Sequence, residues 1–166
     1  MPDDPTIGRP AVQAEILSIL SSIDGVENVY TEDQAVTTIQ RVHDLLVQSD
    51  KEFVQYWTIH RTQSMPHVST NDRGNVVIGT QVQWYHTFRL KLHVGRRVAA
   101  SESHFQSLID SVLHTFQNRR TLGAWNPPAP LSLVQIFDDN LADMKIHRAE
   151  FEVKVIVLLD NIAPLV

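Results

Sequence analysis

Apolar residues recur along the chain with two different periods, and each period predicts an element. Val12, Ile16, Ile19, Leu20 and Ile23 fall three or four residues apart, the single stripe of a helix of about four turns. Pro10 stands at the first helical position, where its missing amide costs no hydrogen bond, and Gly25 follows the stripe where a left-handed cap is wanted. Residues 1–9, with Pro2, Pro5 and Gly8, read as an irregular arm. Val26 to Tyr30 is rich in β-branched and aromatic side chains and predicts a short strand. Thr31-Glu32-Asp33-Gln34 then has the form of a capping box, which opens a second helix through Val36, Ile39, Val42 and Leu46 to about residue 48.

Beyond that point the period drops to two. From Phe53 to Arg61, Phe53, Gln55, Trp57 and Ile59 face one way, while Val54, Tyr56, Thr58 and His60 face the other. From Trp84 to Val94, the even-numbered residues Phe88, Leu90, Leu92 and Val94 make a core face, and Arg89, Lys91 and His93 a basic, solvated one. Between these strands, 64–80 holds Pro66, Asn71, Asp72, Gly74 and Gly79 and reads as a long polar loop. Ser101 caps a helix whose stripe is Phe105, Leu108, Ile109, Val112, Leu113 and Phe116. A proline-rich linker, 122–130, leads to a strand at Leu131–Phe137, a turn at Asp138-Asp139-Asn140, and a last strand from Lys145 to Leu159. On that strand Ala149, Phe151, Val153, Val155 and Val157 point inward, and Glu150, Glu152 and Lys154 point outward. Long strands joined mostly without crossovers predict an α+β class: a largely antiparallel sheet with amphipathic helices on one face, in a single domain over 1–166.

Composition narrows the chemistry. The 166 residues are 43% hydrophobic and include no cysteine, so a real core is expected, with no disulfide, thiolate metal site or cysteine nucleophile. No apolar run reaches the roughly 18 residues of a membrane span, and the acidic start Met1-Pro2-Asp3-Asp4-Pro5 lacks the order of a signal peptide. A soluble cytoplasmic protein is therefore expected. The net charge of −5 disfavours a basic nucleic-acid binder. By segment the balance is −7 over 1–50, +5 over 51–120 and −3 over 121–166, a split that suits contacts between copies of one chain.

The candidate chemical groups give no familiar active-site pattern. The eight histidines, at 43, 60, 67, 86, 93, 104, 114 and 147, contain no zinc-protease spacing. His86 and His147 lie on inward strand faces and could approach each other, either as satisfied core histidines or as a pocket pair, while His104 and His114 read as solvated. Asp138, Asp139 and Asp143 cluster, either as a solvated turn or as a cation site, without the glycine and closing glutamate of a calcium loop. Glu150 and Glu152 suit cross-strand pairing with Arg89 and Lys91. There is no phosphate-binding glycine loop and no nucleophile elbow. The expectation is a protein that is not an enzyme, with no cofactor and no metal.

The order and texture of these segments resemble the tail-terminator, or tail-completion, proteins of long-tailed bacteriophages. The resemblance is carried by the helix ending at Ile23-Asp24-Gly25, the strand at Val29-Tyr30 and the aromatic strand Tyr56-Trp57-Thr58-Ile59-His60-Arg61. It continues through His86–Leu92, Ser103–Asp110 and Ile146–Val153. It implies a small α+β subunit that forms a homo-oligomeric ring, a hexamer in the family, and caps the head-proximal end of the tail tube. The partners implied are further copies of the chain, the tail tube protein and a head-completion or connector protein. Genomic DNA would pass the lumen without specific binding, there would be no membrane, and the protein would be assembled in the host cytoplasm and end in the neck of the virion. On that reading the candidate contact residues are Arg89, Lys91, Arg96, Arg97, Arg73, Glu150 and Glu152, with the 64–80 loop meeting tube or neck. The alternatives are another neck, connector or tail-tube-like subunit, or, in a different class, a small cytoplasmic enzyme or ligand-binding domain using His86 and His147.

Overall fold

The computed structural model describes residues 8–31, 54–67, 81–96, 99–117, 131–141 and 144–160. Their elements run α1 (Gly8–Ser21), β1 (Val29–Thr31), β2 (Gln55–His67), β3 (Gln81–Gly95), α2 (Ser101–Gln117), β4 (Ser132–Leu141) and β5 (Met144–Asp160). The strands form one sheet in the order β1-β2-β3-β5-β4. Only β1, which runs parallel to β2, departs from antiparallel pairing, so the α+β architecture with helices on one face holds.

Both helices lie on the same face because both stripes enter one core. Val12, Ile16, Ile19 and Leu20 of α1 and Phe105, Leu108, Ile109, Val112 and Phe116 of α2 pack with Trp57, Ile59, Phe88, Leu90, Leu92, Phe151 and Val153 of the sheet. The Trp57 and Phe151 rings stack across this layer with centroids 5.8 Å apart. Pro10 is the third residue of α1, so the first turn tolerates it as expected, and the helix begins inside the stretch read as an arm. The end of α1 tightens into short-range bonds, Ile23 N to Leu20 O at 3.1 Å and Val26 N to Ile23 O at 3.1 Å. Gly25 then turns the chain with φ of 81°.

That turn is tied to the sheet through one side chain. Gln55 Nε2 donates to the Gly25 carbonyl, its Oε1 accepts from Trp57 Nε1 at 3.0 Å, and its own carbonyl accepts from Asn28 Nδ2 at 3.0 Å. Asn28 takes a positive φ of 53°, which its short polar side chain tolerates, and β1 is thereby laid beside β2.

Two boundaries differ from the periodic reading. The segment 64–67 belongs to β2, Pro66 included, and pairs with Trp84 and its neighbours. Proline is admissible there because, among the described residues, no strand pairs with β2 beyond Ile59 on the side away from β3. A bulge between Arg61 and Gln63 lies just past the alternation read over Phe53–Arg61. Asp138, Asp139 and Asn140 are strand, paired with His147, Ile146 and Lys145, and the acids are taken up by Arg96, just past β3, and by Arg148 of β5. The rest of the 64–80 loop, the second predicted helix and the 122–130 linker lie outside the described residues. No described helix is long and apolar enough to cross a membrane.

Truncating the stacked pair tests this core. Trp57→Ala and Phe151→Ala are each expected to cost about 3–5 kcal/mol, since both rings are fully buried. Gly25→Ala should cost about 1–2 kcal/mol through its backbone conformation, because the nearest atom to an added Cβ is Leu108 Cδ2 at a comfortable 3.6 Å. Urea unfolding of the three variants measures both effects.

Candidate functional site

The face of the sheet opposite the helices carries the charged groups, and β-pairing arranges them in rows. Register places His60, Arg89 and Glu152 across three adjacent strands, then Thr58, Lys91 and Glu150, then Tyr56, His93 and Arg148. β4 extends the second row with Gln135 and the third with Phe137. Alternation guarantees this composition: the residues between them are the core positions Ile59, Leu90, Phe151, Trp57, Leu92 and Ala149.

Glu150 is the centre of the network. Arg148 donates to it at 2.6 Å and Gln135 at 3.0 Å, with Arg89 at 3.6 Å and Lys91 at 4.0 Å. Arg89 also reaches Glu152 at 3.2 Å, and Arg148 reaches Asp139 at 3.3 Å while its guanidinium lies 4.8 Å from the Phe137 ring centre. Glu150, expected to point into solvent, is only 4% exposed. Burial by itself would raise its pKa, but the Gln135 hydrogen bond, the charges of Arg148 and Lys91 and the Arg148 hydrogen bond outweigh burial and hold it below the ordinary value. The basic row is likewise half-buried and ion-paired rather than freely solvated.

The third row is aromatic at one end. The Tyr56 and His93 rings stack with centroids 4.3 Å apart and an interplanar angle of 6°. Burial, then the nearby Arg148 and Lys91 cations, pushes His93 down to about 3, so its imidazole is neutral. Burial raises the Tyr56 phenol to about 12. Thr58 Oγ1, Arg89 Nε, His93 Nδ1 and Arg148 Nε are buried without a hydrogen-bond partner. The network thus satisfies its carboxylates fully and leaves inner nitrogens of its cations unmet.

Of the seven residues singled out from sequence, Arg89, Lys91, Glu150 and Glu152 meet in this network. Arg96 stands apart, bonded to Asp138 at 2.8 Å beside an open cleft of about 200 Å³ that Asp139, Asn140 and Lys145 also line. Arg73 and Arg97 lie outside the described residues. His86 and His147 do not approach each other: His86 is paired with Val155 and His147 with Val94, roughly 25 Å apart along the strands. A pocket built on those two histidines is therefore excluded by register. His86 instead bonds Ser64 at 2.8 Å.

Sequence reading missed Arg148, the strongest partner of Glu150, and Asp139, which had been placed in a turn. Alternation on β5 does carry the signal, since Arg148 shares the parity of Glu150 and Glu152. Among the described residues no three acidic or histidine side chains converge to hold a metal ion.

The linkage signs are the same for both buried groups. His93 binds a proton more readily unfolded than folded, so its contribution is complete above about pH 6.5 and is lost as pH falls toward about 3. Glu150, with its lowered pKa, contributes fully above the ordinary glutamate range and loses that contribution as pH falls through its folded value. Unfolding titrations are expected to show stability declining below pH 6.5, with His93→Phe flattening the upper part of the decline. Glu150→Gln should cost about 1–3 kcal/mol at pH 7, a difference from the parent protein that shrinks at acid pH. Comparison with known proteins adds no family to this geometry: no protein-family model matches the chain, and no curated protein matches it.

Proposed function

We propose that the chain is a structural subunit of a bacteriophage tail, a tail terminator that forms a homo-oligomeric ring at the head-proximal end of the tail tube and joins tail to head. The observation that carries this reading is strand β4. It is a ten-residue strand at the edge of the sheet, and it exposes Leu133 (37%), Val134 (47%) and Ile136 (45%) in one short run. Apolar side chains grouped on an open edge are what association with other chains removes from water.

Three further features support it. The elements follow the order that the resemblance implies, from a capped helix and short strand to two long strands, a helix and closing strands. The charged face engages its cations in ion pairs within the chain, Arg89, Lys91, Arg148 and Lys154 with Glu150, Glu152 and Asp139, which leaves less to attract DNA. The overall charge of −5 acts in the same direction. On this reading the protein assembles in the host cytoplasm with further copies of itself, the tail tube protein and a head connector, and is carried into the neck of the virion.

Light scattering of the full chain, alone and with purified tail tubes, tests the proposal. A ring, or a monomer that caps tubes and stops their growth, is expected. Ile136→Lys should weaken assembly about tenfold or more, the equivalent of about 1.4 kcal/mol, while the melting temperature stays nearly unchanged because the side chain is half-exposed. A strict monomer that leaves tube growth unaffected would sink the proposal. Continuous incorporation along the tube would instead mark a tube-like subunit.

A further inference from the structure

Ser101 meets Asp138 and His147, two neighbours on adjacent strands, at the end of the sheet where α2 begins. Ser101 Oγ lies 3.3 Å from His147 Nε2, and His147 Nδ1 lies 2.9 Å from Asp138 Oδ1. We propose that Ser101, His147 and Asp138 form a nucleophile, general base and orienting carboxylate that hydrolyse small neutral acyl esters. This proposal is independent of the assembly role.

The tautomer follows from the contacts. Two carboxylates, Asp138 at 2.9 Å and Glu102 at 3.2 Å, both face Nδ1, so that nitrogen carries the proton of the neutral ring. Nε2 then presents its lone pair to the Ser101 hydroxyl, the arrangement a general base requires. Phe105 stacks on the imidazole with centroids 5.1 Å apart, which fixes the ring plane and shields one side from water. Ser101 is the first residue of α2, and the His104 amide is already taken by the Ala100 carbonyl at 3.0 Å. The amides of Ser101, Glu102 and Ser103 precede the first bond within the helix and can face a developing oxyanion.

The hydroxyl lies just beneath the surface. Ser101 is 4% exposed and His147 3%, but Ala99, Ala100, Glu102 and Ser103 around the serine are all exposed. The exposed carboxylates of Glu102 and Asp138 disfavour an anionic substrate.

In the first step Ser101 Oγ bonds to the acyl carbon as its proton passes to His147 Nε2. The ester C–O bond breaks, and His147 returns the proton to the departing alkoxide. Water repeats the sequence, releasing the carboxylic acid and regenerating Ser101.

The test uses the full chain, a fluorophosphonate probe and p-nitrophenyl acetate. Peptide mapping of the unaltered protein is expected to place a single phosphonyl adduct on Ser101, abolished in a folded Ser101→Ala variant. Because either acid can hold the Nδ1 proton, Asp138→Asn combined with Glu102→Gln should slow hydrolysis at least tenfold, about 1.4 kcal/mol or more. No adduct, an adduct elsewhere, or a rate unchanged by the double substitution overturns the proposal, and the mapping result stands whether or not Ser101→Ala folds.

Discussion

The rest of the structure depends on the register between β3 and β5. Fifteen consecutive pairs, from Gln81 with Asp160 to Gly95 with Ile146, run without a bulge through the middle of the sheet. That register sets Phe88, Leu90 and Leu92 beside Val153, Phe151 and Ala149 under the helices, and sets Arg89 and Lys91 beside Glu152 and Glu150 on the other side. A slip of one residue would turn every side chain of the slipped strand to the wrong face. It would bury charges against α1 and α2 and expose the aromatic core. The two faces therefore specify the same alignment independently, one by apolar burial and one by charge.

The charged face is informative because it is not simply solvated. A carboxylate 4% exposed is sustained only where cations and an amide surround it, and here Arg148, Arg89, Lys91 and Gln135 do so. The two bulges lie on the outer strands, at Arg61/Gln63 on β2 and at Leu133/Gln135 on β4, where Gln135 still reaches Glu150, while the β3–β5 pairs that carry Arg89, Lys91, Glu150 and Glu152 are regular.

Gln55 and His147 both stand opposite Val94, in one row near one end of the sheet. On the β1 side, Gln55 binds the turn after α1 and fixes β1. On the β4 side, His147 joins the start of α2, through Ser101 and Glu102, to β4, through Asp138. The same contacts that hold α2 to the sheet give Ser101 a base, so packing and chemistry share one hydrogen-bond chain. β4, which supplies Asp138 to that chain, also bears the exposed apolar run on which the assembly reading rests.

Local periodicity determined the helices over Val12–Ile23 and Phe105–Phe116, the alternation of β3 and β5, and the pairing of Arg89 and Lys91 with Glu152 and Glu150, because burial on one face leaves a trace in neighbouring residues. Only the tertiary structure decided what depends on residues distant in sequence. The continuation of β2 through Pro66 depends on its pairing with Trp84 of β3. The strand character of Asp138–Asn140 depends on pairing with Lys145–His147 and on the arrival of Arg96 and Arg148. The separation of His86 from His147 depends on register, and the meeting of Ser101, Asp138 and His147 depends on α2 landing at one end of the sheet. A cap, a turn acid and a core histidine each have a sufficient local explanation, so no pattern in the sequence marks them as a set.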